Sequence, residues 1–200
     1  MLDLNNHFLI AMPGMEDADF EKTVVFVFDH GTNGAAGLVI NRPSESTMKQ
    51  MFYRMDLGLG REDLLSTPVF NGGPVFTDRG FVLHEAQQTF ELGDDGFAPS
   101  KASFWMSTLE VPGGLEMTTS RDVLEALASG AGPQKMFLAL GYAAWQAGQL
   151  EREIAHNDWL TVPADHRLIF DLPVAERYSA ALALLGLDEI TLVPDGGAMQ

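Results

Sequence analysis

The sequence predicts an α+β fold in a single domain over residues 1–200. Residues 23–43 indicate two apolar strands joined by a turn, whereas residues 47–56 carry apolar side chains at the spacing of a one-faced helix. Strand-like and helix-like segments follow one another without the regular β–α–β alternation of a doubly wound sheet, which favours α+β over α/β. The sequence shows no repeat or linker long enough to divide it.

The composition is strongly acidic. The 200 residues include 12 Lys and Arg against 28 Asp and Glu, which gives a formal net charge of −16. Phosphate backbones and anionic lipid headgroups repel such a chain, so we expect no direct nucleic-acid binding and no membrane association. The absence of Cys excludes disulfides, thiolate zinc sites and cysteine nucleophiles. With no basic leader and no apolar run of membrane length, the sequence predicts a soluble cytoplasmic protein.

The first strand is predicted at residues 7–12, where an apolar run ends in Pro13-Gly14. An acidic segment at residues 16–21 follows. A calcium loop is one interpretation, but Lys22 stands where the sharp-turn glycine of an EF-hand is needed and no downstream Glu completes the pattern. We therefore predict a solvated surface loop.

The stretch at residues 23–43 is the predicted centre of the fold. Val and Phe without polar alternation at residues 23–29 indicate a strand covered on both faces. Residues 31–34 supply a hairpin turn before a return strand at 35–41. The small residues at 34–37 permit close approach of another element or of a ligand.

Asn41-Arg42-Pro43 ends the return strand. Pro43 biases Arg42 toward extended geometry, so its side chain is expected to leave the strand end. A guanidinium there offers five donors to a carboxylate or phosphate ligand. The alternative, favoured because acids outnumber bases, is an internal ion pair, with Glu151 as the leading partner.

The helix predicted at residues 47–56 carries Met48, Met51, Phe52 and Met55 on one face. A stripe that faces the core is the favoured interpretation. The alternative is an adaptable surface for a partner, since methionine side chains repack easily.

Two glycines, Gly72 and Gly73, follow Asn71. Adjacent glycines can aim backbone N–H groups at an anion, but a tight turn also explains them and is the favoured interpretation. His84-Glu85 begins like a zinc-protease motif. No second His follows at the required spacing and the segment is not helical, so no metal site is predicted.

The rest of the chain alternates between strands and helices. We predict a surface loop at residues 91–100, a helix at 119–130, a buried strand at 136–140, a helix within 141–154, strands at 159–162 and 167–170, and a last helix that starts near Asp171.

Several motifs together resemble the YqgE/AlgH family of bacterial proteins. They are FLIAMPGM, TVVFVFDH and GAAGLVINRP in the first part of the chain, followed by residues 70–75, 80–84 and 118–124. The most specific motif is GYAAWQAGQLE at residues 141–151. The resemblance covers nearly the whole chain.

The resemblance implies a single α+β domain with a mixed, partly barrel-like β-sheet packed by several α-helices. It implies no established catalytic activity and no cofactor. One branch of the family carries a label as a transcriptional regulator through a link to alginate production. No residue is carried over as catalytic.

Three functions compete as hypotheses, and the third, a regulator that binds DNA directly, is ranked last because the net charge of −16 opposes it. The first is a non-enzymatic regulatory or interaction protein, monomeric or homodimeric, that acts on an unknown protein partner without direct DNA binding. The second is an enzyme or binding protein for a small anionic metabolite, with a pocket near Arg42, Asn71 and Glu151 and a histidine such as His30 or His84. The candidate ligand-binding residues are Asn41, Arg42, Asn71, Gly72, Gly73, Gln149 and Glu151.

Overall fold

The computed structural model describes residues 2–87, 89–93, 96–100 and 103–192, with the backbone alone at 89–93, at 96–100 and at 191. The chain divides into two compact units. The first comprises Met1–Arg42, Asn71–Thr77 and Gly141–Gln200, and the second comprises Pro43–Phe70 and Asp78–Leu140. The single domain expected over residues 1–200 stays a prediction.

The secondary structure combines strands with short helices. The strands are β1 (His7–Ala11), β2 (Val24–Gly31), β3 (Gly34–Val39), β4 (Pro43–Thr47), β5 (Pro68–Asn71), β6 (Val75–Glu85), β7 (Thr89–Gly93), β8 (Gly96–Ser100), β9 (Thr108–Val111), β10 (Leu115–Thr118), β11 (Met136–Gln146) and β12 (Trp159–Pro163). The helices are α1 (Met48–Arg54), α2 (Arg121–Ala128), α3 (Gln149–Ala155), α4 (Arg167–Phe170), α5 (Arg177–Ala183) and α6 (Glu189–Leu192). The predicted α+β class is confirmed. None of the helices in the described residues has the length and apolar content needed to cross a bilayer.

The sheet of the first unit has the strand order β12-β1-β2-β3-β11, with antiparallel neighbours. Strand β2 is deeply buried in its first half, since Val24, Val25, Phe26 and Val27 are all 0% exposed. This burial confirms the expectation, drawn from the missing polar alternation, of a strand covered on both faces.

The small residues of β3 are explained by close backbone packing. A Cβ at Gly34 would lie 2.2 Å from the carbonyl oxygen of Trp145, and one at Gly37 would lie 2.6 Å from Cγ1 of Val25. The predicted close approach therefore occurs, and neighbouring strands make it.

The core of the second unit lies between its strands and two helices. Met48 and Phe52 of α1 and Val123 and Leu127 of α2 are all 0% exposed. Thr47 caps α1 through reciprocal hydrogen bonds with Gln50. The predicted core-facing stripe on this helix is confirmed for its two fully buried members.

Three predicted elements differ from the structure. Residues 141–146 continue strand β11 instead of starting a helix, and α3 begins only at Gln149. Residues 167–170 form helix α4 instead of a strand. The loop expected at residues 91–100 overlaps a hairpin of β7 and β8.

Each difference has a physical reason. Ala143 and Trp145 are buried while Ala144 is exposed, a two-residue period that the helix-forming alanines obscured. Four apolar-rich residues, as at 167–170, do not distinguish a strand from a helical turn by period alone. Pro99 pairs opposite Phe90 in a two-stranded sheet, where each strand is an edge and tolerates proline.

Candidate functional site

The strand-end residues Asn41 and Arg42 hold the acidic segment in place. The amide of Asn41 accepts a hydrogen bond from Val24 N at 2.8 Å and donates one to Lys22 O at 2.9 Å. The guanidinium of Arg42 donates to Asp19 O at 2.6 Å and to Glu21 O at 3.0 Å. Both side chains therefore bind backbone carbonyl groups of residues 19–22.

The expected ion pair between Arg42 and Glu151 is wrong. Oε1 of Glu151 lies 3.1 Å from Nε2 of His30. Gln146, just before helix α3, pairs with the first residue of β3, whereas Arg42 follows the last. Six strand residues separate the two ends by about 20 Å, at a rise of about 3.3 Å per residue. Glu151 therefore lies far from Arg42 and Asn71, and the three residues do not line one pocket.

Asn71, Gly72 and Gly73 pack by their backbone against neighbouring strand ends. Asn71 N donates to Arg42 O and Val39 N donates to Gly72 O, both at 2.8 Å. Gly73 has φ of +151°, and a Cβ there would lie 2.2 Å from the carbonyl carbon of Tyr142. Close packing thus explains Gly73. The ligand-binding role of these residues stays a prediction.

Gln149 closes the junction between β11 and α3. Its side-chain oxygen accepts from Gln146 N and its side-chain nitrogen donates to Oε1 of Glu153, both at 2.9 Å. The ligand-binding role predicted for Gln149 and Glu151 also stays a prediction.

A cavity of about 440 Å³ lies in the second unit. Its floor is apolar and includes Met51, Met55, Val69, Val82, Leu124 and Leu138. Met51 and Met55 come from the predicted methionine stripe. Two members of that stripe are fully buried, and the other two pack partly buried against the same core and line the cavity. The alternative of a surface for a partner stays a prediction.

The rim of this cavity is polar and carries two arginines. Arg54 ends α1, is exposed, and forms no ion pair with any of the described residues. Arg121 begins α2, where its Nε donates to Oε1 of Glu125 at 2.9 Å and its Nη2 donates to Met55 O at 3.4 Å. Asp78, Ser46 and Thr119 complete the rim.

Asp122 fixes the segment beside the rim. Its carboxylate accepts from Met106 N at 2.7 Å and from Val123 N at 2.9 Å, and the Ser120 hydroxyl also donates to it. Burial acts to raise the pKa of Asp122, but these hydrogen bonds outweigh it and hold that pKa below its ordinary value of 3.8. The carboxylate thereby anchors the rim in one arrangement.

Thr118 connects the cavity to a buried histidine. Its hydroxyl lies 2.9 Å from Nε2 of His84 and 2.8 Å from the hydroxyl of Thr108. His84 is 0% exposed, and its Nδ1 lies 2.9 Å from Glu85 O. The ring is thus held inside the protein and does not line the cavity.

Sequence reasoning did not select Arg54 or Arg121 as site residues. The available signal was indirect: Arg121 is the only base in its helix, and it lies in the motif at residues 118–124 that carries the family resemblance. Helix α1 ends in Arg54 beside the methionine stripe. Only the folded chain shows that both residues face one cavity.

Comparison with known proteins assigns the family. A family model described as AlgH-like matches residues 8–189, and the chain therefore belongs to the AlgH-like family. Its relatives include a UPF0301 protein of Polaromonas sp. (strain JS666), 55% identical over 197 residues that cover 98% of this chain and 96% of the relative. A UPF0301 protein of Albidiferax ferrireducens is 56% identical over 197 residues, with the same shares covered.

Solved structures support the same assignment. The solution structure of the AlgH protein from Pseudomonas aeruginosa matches with a TM-score of 0.72 and 46% identity, and the match covers 98% of this chain and 96% of that one. A protein from Corynebacterium diphtheriae matches with a TM-score of 0.66 over 91% of this chain and 87% of its own. At 18% identity the second match shows a common fold alone. The resemblance drawn from the sequence motifs is confirmed.

Proposed function

We propose that this protein is a non-enzymatic regulatory module that binds an amphipathic anion, a carboxylate or phosphate attached to an apolar group, in the second unit. The cavity of about 440 Å³ with an apolar floor and two arginines on its rim carries the proposal. Its volume lies within the range of small-molecule sites, about 300–1,000 Å³. An apolar group fills the floor while the anion remains at the rim.

The charge distribution supports an anionic head group. In a chain with 12 bases against 28 acids, two bases at one cavity mouth are a local exception to the overall charge. A guanidinium binds carboxylate or phosphate through paired N–H groups. Arg54 has no competing ion pair among the described residues.

Arg121 can exchange partners at little cost. Its pair with Glu125 has side chains that are 57% and 56% exposed. Exposed pairs four residues apart in a helix contribute about 0.3–0.5 kcal/mol, so a ligand anion competes easily with Glu125. Asp78 on the same rim adds a negative charge, which disfavours polyanions and favours a head group with a single charge.

The regulatory part of the proposal rests on the family resemblance and on the net charge. A protein with a net charge of −16 does not attract DNA, so its regulatory action would run through a protein partner or through the bound anion. We propose a cytoplasmic location for that action. The protein acts as a monomer or homodimer and needs no cofactor.

Methyl NMR with decanoate as the probe tests the cavity. Methionine-methyl labelling should show saturable shifts at Met51 and Met55, which line the cavity, while Met12 of the first unit stays unchanged. Decanol, which has the same chain without the charge, should bind about tenfold or more weakly. Equal binding of decanol, or shifts spread over all methionines, would contradict the proposal.

Charge-matched single variants refine this test. Arg54→Gln and Arg121→Gln, each made alone, should weaken decanoate binding by about fivefold or more, because each removes one guanidinium group from the rim. Arg152→Gln, an exposed position on α3 in the first unit, should leave binding within about twofold. If Arg152→Gln weakens binding as much as either rim substitution, general electrostatics would account for it.

A further inference from the structure

A second cavity, of about 420 Å³, lies in the first unit. Its lining brings together the acidic segment after β1, the end of β11, helix α3 and the start of β12. None of the described residues that line it is Lys or Arg. Its chemistry is therefore opposite to that of the cavity in the second unit.

Three aromatic rings form the floor of this acidic cavity. Phe20 lies 5.8 Å from Trp145 with nearly parallel rings and 5.5 Å from Trp159 with crossed rings, measured between centroids. The two tryptophans lie 6.0 Å apart at 80°. Trp145 and Trp159 are 5% and 3% exposed, so they present only a small part of their rings beside the partly buried Phe20. Aromatic faces carry partial negative charge, so the part of this floor that is accessible attracts cations.

One carboxylate is fixed among these rings. Oε2 of Glu153 accepts the indole N–H of Trp145 and that of Trp159, each at 2.8 Å. Its Oε1 accepts the amide of Gln149 at 2.9 Å. All three donors are neutral, and no basic side chain in the described part of the chain pairs with Glu153. The negative charge is therefore held in position and left uncompensated.

Further carboxylates extend this negative field. Glu16, Asp17 and Asp158 also line the cavity. Glu16 and Asp17 belong to the segment predicted as a solvated loop, and the hydrogen bonds from Arg42 to Asp19 O and Glu21 O hold that segment in place. Among the residues that the structure describes, no three His, Asp or Glu side chains lie close enough to hold a metal ion. Dispersed carboxylates above an aromatic floor suit a larger cation.

We propose that this acidic, aromatic-floored cavity binds an organic cation, a guanidinium or alkylammonium group. Glu153 supplies the fixed counter-charge, and the rings of Phe20, Trp145 and Trp159 contact the flat or apolar part of the cation. The group belongs either to a free small molecule or to an Arg or Lys side chain of a protein partner. This site is separate from the one proposed for an anion, and its test does not depend on that proposal.

Tryptophan fluorescence measures binding directly. Trp105 lies in the second unit, so a Trp105→Phe background leaves Trp145 and Trp159 as the reporters. In this background, ethylguanidinium at about 0.15 M NaCl should produce a saturable change in emission. Urea, a neutral molecule of similar shape, should produce none at equal concentration. A response to urea equal to that of ethylguanidinium would overturn the proposal.

Two glutamates on one helix provide the matched comparison. Glu153→Gln removes the fixed charge while keeping an acceptor for the indoles, and should weaken ethylguanidinium binding by about tenfold or more. Glu151→Gln makes the same change in net charge outside the cavity and should alter binding by less than about twofold. An equal loss of ethylguanidinium affinity in the two variants would show that binding depends on net charge alone, and would overturn the proposed site. If Glu153→Gln fails to fold, Asp158→Asn replaces it with the same expected direction.

Two further ligands identify the cation. A blocked Gly-Arg-Gly peptide that binds more tightly than ethylguanidinium would assign the site to a partner's side chain, and weaker binding of the peptide would assign it to a free small molecule. Displacement of ethylguanidinium by calcium chloride at equal concentration would contradict both assignments of the cation. It would show that the site binds by charge alone, without a contribution from the aromatic floor.

Discussion

His30 and Glu151 join strand β2 to helix α3 through one imidazole, with Nε2 of His30 at 3.1 Å from Oε1 of Glu151. The other ring nitrogen, Nδ1, accepts the backbone N–H of Leu4 at 3.3 Å. Because a backbone N–H only donates, Nδ1 carries no hydrogen in this arrangement and Nε2 donates to the carboxylate. The His30 side chain is 4% exposed and that of Glu151 is 41% exposed.

The tautomer of His30 is the first prediction. Long-range ¹H–¹⁵N spectra at neutral pH should show the neutral ring with its hydrogen on Nε2, because both hydrogen bonds require that form. An imidazolium pattern at His30 would mean that the Leu4 hydrogen bond is not formed. His156, which is exposed, provides the comparison within the same spectrum.

A double-mutant cycle between Arg42 and Glu151 should show additivity. The two residues lie near opposite ends of β3 and share no partner in the part of the chain that the structure describes. The effects of Arg42→Ala and Glu151→Ala on the free energy of unfolding should therefore add within about 0.5 kcal/mol. Urea unfolding of the four proteins measures the sum. A coupling energy above about 1 kcal/mol would show that the two side chains interact directly and would contradict the structure.

Gly73→Ala should destabilise the protein by about 3 kcal/mol or more. The new Cβ would lie 2.2 Å from the backbone of Tyr142 at φ of +151°, so it adds both a backbone clash and conformational strain. Gly58→Ala is the control, because a Cβ at Gly58 meets nothing within 4 Å. Thermal and urea unfolding of both variants decide the matter, and similar losses would show that Gly73 is not tightly packed.

Acid stability should depend on Asp122. Its pKa is lowered in the folded protein, so its stabilising contribution is fully present above the unfolded value of about 3.8 and is lost as the pH falls through the folded pKa. The stability difference between the protein and Asp122→Asn should therefore be constant near neutral pH and shrink below about pH 4. Urea unfolding across this range measures it, and a difference that grows on acidification would contradict the assignment.

The isolated protein should not bind duplex DNA specifically. With 28 acids against 12 bases, phosphate repulsion opposes binding even at low salt, where attraction to any basic patch is greatest. Mobility-shift assays at low ionic strength with micromolar protein provide the measurement. A shift that depends on sequence and weakens with added salt would overturn this expectation and reopen a direct regulatory role on DNA.

The strands and the amphipathic helix were predictable because their signals are local. Residues 24–28 are continuously apolar, and the stripe of α1 repeats at helical spacing. The continuation of β11 was missed because its alternating burial depends on pairing with β3, which lies more than a hundred residues earlier. Short segments such as 167–170 take their form from tertiary packing.

Site prediction failed for a related reason. Arg42 and Glu151 were paired from the expectation that α3 covers the strand end, but a sequence does not state which end of a strand a helix reaches. The rim arginines Arg54 and Arg121 lie in segments separated by more than sixty residues. Their shared cavity is a property of tertiary structure, which neither local motif contains.

The crossed indoles of Trp145 and Trp159 give the first unit an intrinsic optical signature. Two identical chromophores with centroids 6.0 Å apart and planes at 80° couple their electronic transitions, and a coupled chiral pair produces paired circular-dichroism bands of opposite sign. Trp105, in the second unit, has no indole partner among the described residues and adds no such couplet. Loss of this pair of bands during unfolding therefore reports when the first unit unfolds, and the measurement needs no attached label.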